Sequence, residues 1–63
     1  MTPRAELSSL ATGLDELLSR VTAIAERLHG PDQEVVGPEL YEVERTLRSA
    51  QRRLSRILDL DLS

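Results

Sequence analysis

Apolar residues in the first half of the chain fall at Leu7, Leu10, Leu14, Leu17, Val21, Ile24 and Leu28. They advance by alternating steps of 3 and 4, an unbroken heptad pattern that predicts a coiled-coil-like helix. Leu7, Leu14, Val21 and Leu28 take heptad position a, and Leu10, Leu17 and Ile24 take d. Thr2-Pro3 reads as an N-cap with proline in the first turn, and His29-Gly30-Pro31 as a helix stop. The second half repeats the pattern at Leu40, Val43, Leu47, Ala50, Leu54 and Ile57, with Gly37-Pro38-Glu39 as the start. The expected elements are a helix over about 3–29, a connector over 30–37 and a helix over about 38–60. Asp32 could cap one helical turn within the connector, and Pro38 argues against a continuous helix from residue 32.

Two helices of matched length, roughly 40 and 35 Å at 1.5 Å per residue, joined by a short connector predict an antiparallel hairpin. Charge points the same way. Glu39, Glu42 and Glu44 open the second helix, opposite Arg20 and Arg27, while its arginine-rich end would lie against Glu6, Asp15 and Glu16. Exposed pairs of this kind are worth only about 0.2–1 kcal/mol each, so they set direction more than stability.

A hairpin alone cannot enclose its core. Ala11, Leu18 and Ala25 form a further apolar row at position e of the first helix, and Leu58 continues one on the second. A stripe of a, d and e positions is expected of a helix with more than one neighbour. The fold class expected is therefore all-α, an antiparallel two-helix hairpin that dimerises into a four-helix bundle. The core and dimer interface would comprise Leu7, Leu10, Leu14, Leu17, Leu18, Val21, Ile24, Leu28, Leu40, Val43, Leu47, Leu54, Ile57 and Leu58. The competing expectation is a groove filled by a helix of another protein. In architecture, though not in motif, this hairpin resembles the Rop-type hairpins.

Length and composition narrow the functional classes. The chain has 63 residues, one small domain near the lower limit for folding alone. Without cysteine there is no disulfide framework, thiolate metal site or cysteine nucleophile, and a lone His29 leaves too few ligands for most transition metals. No run approaches the length and apolarity of a membrane span, and the N-terminus lacks the build of a signal peptide, so a cytoplasmic location is expected. No phosphate loop, nucleophile elbow or metal-ligand spacing occurs, and the carboxylates lie on expected exposed faces. No enzyme activity, cofactor or metal is expected.

Eight basic residues, all arginine, stand against eleven acidic ones. The lack of lysine suits either selection for the guanidinium fork or the codon usage of a GC-rich bacterium, such as an actinobacterium. Arg45, Arg48, Arg52 and Arg56 share one outward face of the second helix, with Arg53 on its flank. That face is a candidate site for an anion, a nucleotide, nucleic acid or an acidic partner segment. A solvated face neutralised by acids of the first helix is the alternative. The net charge of −3 and the absence of interleaved aromatics disfavour nucleic acid.

Three smaller features complete the reading. His29 is expected to cap the first helix, Tyr41 to cover the connector, and the tail 58–63 to close the bundle end or serve as a docking peptide. Glu44, Arg48, Gln51, Ser55 and Asp59 carry the 4, 3, 4, 4 spacing with which some actinobacterial anti-sigma factors hold cyclic di-GMP. The chain resembles that motif at Glu44 and Asp59 and departs from it at the three positions between. The stretch Leu40-Tyr41-Glu42-Val43-Glu44-Arg45 with the arginine-rich segment after it resembles small actinobacterial helical-hairpin proteins, over about half of the chain. That resemblance implies a hairpin and no activity. The function expected is a small, non-enzymatic interaction, adaptor or regulatory protein that self-associates as a homodimer and binds a protein partner.

Overall fold

A computed structural model describes residues 2–60. They form two helices, α1 over Pro3–Arg27 and α2 over Gly30–Asp59. The Thr2 hydroxyl accepts from the Ala5 amide at 3.1 Å, and the Glu6 amide donates to the Thr2 carbonyl at 2.9 Å. One of the orphan amides of the first turn is thereby satisfied, and Pro3, with no amide of its own, costs nothing there.

The reversal is tighter than a connector of eight residues. Leu28 and His29 are both extended, and Gly30 enters α2 with φ of +61°, a conformation that any side chain would strain. The His29 ring nitrogen Nδ1 lies 3.2 Å from the Arg27 carbonyl, so the imidazole does serve the end of α1, though from one residue beyond its cap. The segment expected as a connector, 30–37, is the start of α2, and helix continues through Pro38. Pro38 has no amide for the Glu34 carbonyl, which normally ends a helix. Here the residues over 29–36 are all exposed, so water can satisfy the freed carbonyl, and Pro31 and Asp32 favour the first turn. Tyr41 has no connector to cover and is exposed.

The two helices pack against each other as an antiparallel hairpin. Gln51 Nε2 donates to Asp15 Oδ1, and the Arg4 guanidinium donates to the carbonyls of Leu58 and, at 3.1 Å, Leu60. Those contacts set the antiparallel register, and residues 30–36 at the start of α2 are all exposed. The Cα envelope is a rod of 51 × 17 × 11 Å.

The seam is not the expected one. Leu7, Ala11, Leu14, Leu18, Val21 and Ala25 of α1 and its cap residue Leu28 are covered along the seam, with Thr22 half-covered beside it, and Leu40, Glu44, Leu47, Gln51, Leu54 and Leu58 face them from α2. The seam positions are a and e in both helices, whereas a and d were expected. Alternating leucine with alanine lets the helices approach closely, and the two polar e residues keep their heads in hydrogen bonds or ion pairs at the edge. Leu18, expected on an outer row, is the one buried residue among those described, at 9% exposure.

Candidate functional site

Moving the seam to a and e turns the d rows outward. In an antiparallel pair the same flanking position of both helices falls on the same side, so the hairpin has two unlike faces. Side chains on the b side meet across one of them: Asp15 and Gln51 with Ser55, and Thr22 and Leu18 with Arg48, line shallow depressions of mixed character. The d side is apolar. Leu10, Leu17 and Ile24 of α1 are 62%, 45% and 45% exposed, and Val43 and Ile57 of α2 also stand out in water, with Ala50 half-covered.

Register arranges these six residues in three layers. With Asp15 beside Gln51, Leu10 comes level with Ile57, Leu17 with Ala50 and Ile24 with Val43, to within a residue. A shallow apolar groove lies between the helices on this side, lined by Leu10, Gly13, Leu14, Leu17 and Leu54. No heavy atom lies within 4 Å of a Cβ placed on Gly13, so the hairpin itself does not require glycine there. Val36, one heptad before Val43, extends the row into the exposed start of α2, with Val35 beside it.

The accessible surface of the chain is 5047 Å². A folded monomer of 7.0 kDa is expected to expose about 4,000 Å². The excess, about 1,000 Å², is close to the ~800 Å² that one partner contributes to a standard protein interface.

The arginine face is placed differently from the apolar one. Arg45, Arg52 and Arg53 line a shallow depression on the outer side of α2 with Thr46, Ser49 and Ala50, and Arg52 and Arg56 flank Gln51 and Ser55 near Asp15. Two ion pairs form among the described residues, both within α2: Arg45 with Glu42 at 3.8 Å and Arg48 with Glu44 at 3.6 Å. Arg52, Arg53 and Arg56 make none with a described residue. The ion pairs expected between the helices are absent among the described residues, because Arg20, Arg27 and Arg53 stand at position g, away from the seam. Cross-helix polar contacts are instead the neutral amide of Gln51 on Asp15 and Arg4 on the last carbonyls of α2.

Glu44, Arg48, Gln51, Ser55 and Asp59 do lie along one side of α2. Within that set Glu44 is engaged by Arg48 and Gln51 by Asp15. Of the tail 58–63, Leu58 and Asp59 complete α2 and Leu60 caps it with its amide on the Ile57 carbonyl at 3.1 Å, while the remainder lies outside the described residues. Among the described residues no group of three or more His, Cys, Asp or Glu side chains gathers in metal-binding distance, and no helix is long and apolar enough to cross a membrane. Compared with known proteins, the chain matches no family model, no curated protein and no solved structure.

Proposed function

We propose that this protein is a small, non-enzymatic helical interaction module, of the adaptor or regulator kind, that self-associates through its apolar face and binds a protein partner through the surface left free. The observation that carries the reading is the three-layer row of Leu10, Leu17, Ile24, Val43, Ala50 and Ile57 on one side of a hairpin with a single buried side chain among the described residues. A monomer would leave that row in water. Joining two such faces gives a four-helix bundle in which a, d and e positions of all helices are covered, the arrangement the sequence pattern calls for. Each fully buried leucine or isoleucine is worth roughly 1.5–3 kcal/mol, so three layers suffice to hold two chains together.

Light scattering coupled to size-exclusion chromatography tests it directly. A mass of two chains at micromolar concentration is expected, and a monomer at that concentration overturns the reading. Leu17→Asp should shift the protein towards monomer with much of its helix retained.

The second reading is an anion or nucleotide binder that uses Arg45, Arg48, Arg52 and Arg56. It is supported by Arg52, Arg53 and Arg56, which have no carboxylate partner among the described residues on a helix where like charges recur at i,i+4. A ligand bound there should be lost as salt rises.

A further inference from the structure

The arginine face of α2 is not uniform, and one part of it is shaped for an anion. We infer that Arg45, Arg52 and Arg53, with the hydroxyls of Thr46 and Ser49, form a binding site for a phosphoryl group, free or carried on a small ligand. This rests on the anion-binding reading above and assigns the side chains that carry it.

Ser49 stands at heptad position c, directly away from the seam. Arg45 and Arg52 at f flank it on one side, and Thr46 and Arg53 at g on the other. All four lie three or four residues from Ser49, the spacing at which side chains of one helix are neighbours. α1 does not reach this side, yet Ser49 is half-covered, so the covering comes from side chains of its own helix. Together with Ala50 these five residues line a shallow depression with no carboxylate in its wall.

Charge favours an anion there. Five arginines and no acidic residue occupy 45–56, and neither Arg52 nor Arg53 makes an ion pair with a described residue. Arg45 holds Glu42 only at 3.8 Å, too far for a hydrogen bond, with both side chains more than half exposed. A pair of that kind is weak and gives way to a stronger anion. A phosphoryl group offers several acceptor oxygens and up to two negative charges, which suits guanidinium forks and hydroxyl donors. Its charge also relieves the repulsion between the arginines. The rest of the face is less suited. Arg48 is already held by Glu44 at 3.6 Å, and the depression beside Arg56 has the Asp15 carboxylate in its wall.

Isothermal titration calorimetry with inorganic pyrophosphate, at an ionic strength held constant with sodium chloride, tests the site. Saturable binding is expected, weakened about tenfold in Arg52→Gln and in Arg53→Gln. Ser49→Ala should weaken binding about threefold and yet raise helicity slightly, because it loses a donor while alanine is the better helix former. Arg48→Gln and Arg56→Gln, outside the site, should change affinity by at most about twofold. Circular dichroism checks that each variant keeps its helix. Binding that Arg48→Gln or Arg56→Gln weakens, and that Arg53→Gln and Ser49→Ala leave unchanged, overturns the inference and keeps the anion-binding reading. Equal weakening by every arginine variant means a diffuse attraction to charge, which overturns it too. No binding of pyrophosphate beyond the effect of chloride removes both the inference and the reading beneath it.

Discussion

Leu17 and Leu18 are neighbours in the sequence and opposites in the structure. A step of about 100° around α1 separates them. It puts Leu18 against α2 at 9% exposure and leaves Leu17 at 45% on the apolar face. Two identical side chains, one residue apart, therefore serve different purposes. Leu18→Ala removes packing inside the hairpin and should cost about 2–3 kcal/mol at any protein concentration. Leu17→Ala should lower the thermal midpoint only by weakening association, so its effect grows as the protein is diluted. Thermal melts by circular dichroism at two concentrations a hundredfold apart separate the cases.

Thr2 holds the start of α1 through a hydroxyl that accepts from the Ala5 amide. Thr2→Ala should destabilise by about 1 kcal/mol, while Thr2→Ser, which keeps the acceptor, should cost little. For a chain of this size 1 kcal/mol corresponds to roughly 4–8 °C in Tm. Equal losses in both variants would place the hydroxyl's contribution elsewhere.

Pro38 interrupts the hydrogen-bond ladder of α2 beside the last turn that α1 covers. A proline in a helix interior is about 3 kcal/mol less favourable than alanine, and exposure of the freed carbonyl recovers part of that. Pro38→Ala should raise the melting temperature and slow amide hydrogen exchange over 31–38. Unchanged exchange there would mean that the segment frays for reasons other than the missing amide.

Gly13 costs about 1 kcal/mol relative to alanine in a helix interior, and nothing in the hairpin approaches its Cβ position. Gly13→Ala should therefore stabilise the isolated hairpin. It borders the apolar groove, so close approach of a second chain would turn that gain into a loss. The sign of the effect, measured at high and at low protein concentration, reports whether the partner comes that near.

Arg48, Arg52 and Arg56 are like charges one turn apart, and Glu44 relieves only Arg48. Replacing Arg52 and Arg56 with glutamine should leave the fold intact and raise helicity slightly at low salt. A loss of helix would assign those arginines to packing.

The helices and their antiparallel return were legible because a 3-and-4 spacing over many residues has no other comfortable solution. Which rows meet was not. Positions d and e of α1 are both apolar, so the pattern permits a seam at a and d or at a and e. The sizes of Ala11 and Ala25, which allow close approach, tip the balance towards e. Glu44 and Gln51 hid the choice further, because a seam is expected to be apolar, and only the reach of these side chains to Arg48 and Asp15 makes them acceptable. The reversal was misjudged for a local reason. Gly37-Pro38 reads as a boundary on sequence grounds, yet the same dipeptide is tolerated within α2 where the neighbouring turns lie open to water. The arginine face was visible at once, since position alone defines it, and the ion pairs of Arg48 with Glu44 and of Arg45 with Glu42 follow the i,i+4 and i,i+3 spacing that brings side chains together on a helix face.

The grip of Arg4 on the carbonyls of Leu58 and Leu60 has a consequence for how the module can be mounted. It draws residues 2 and 60 to the same end of a rod 51 Å long, while the acidic start of α2 stands at the other. A fluorophore, a surface tether or a fused domain placed at either position leaves from one pole, so the hairpin stands upright like a post on its support.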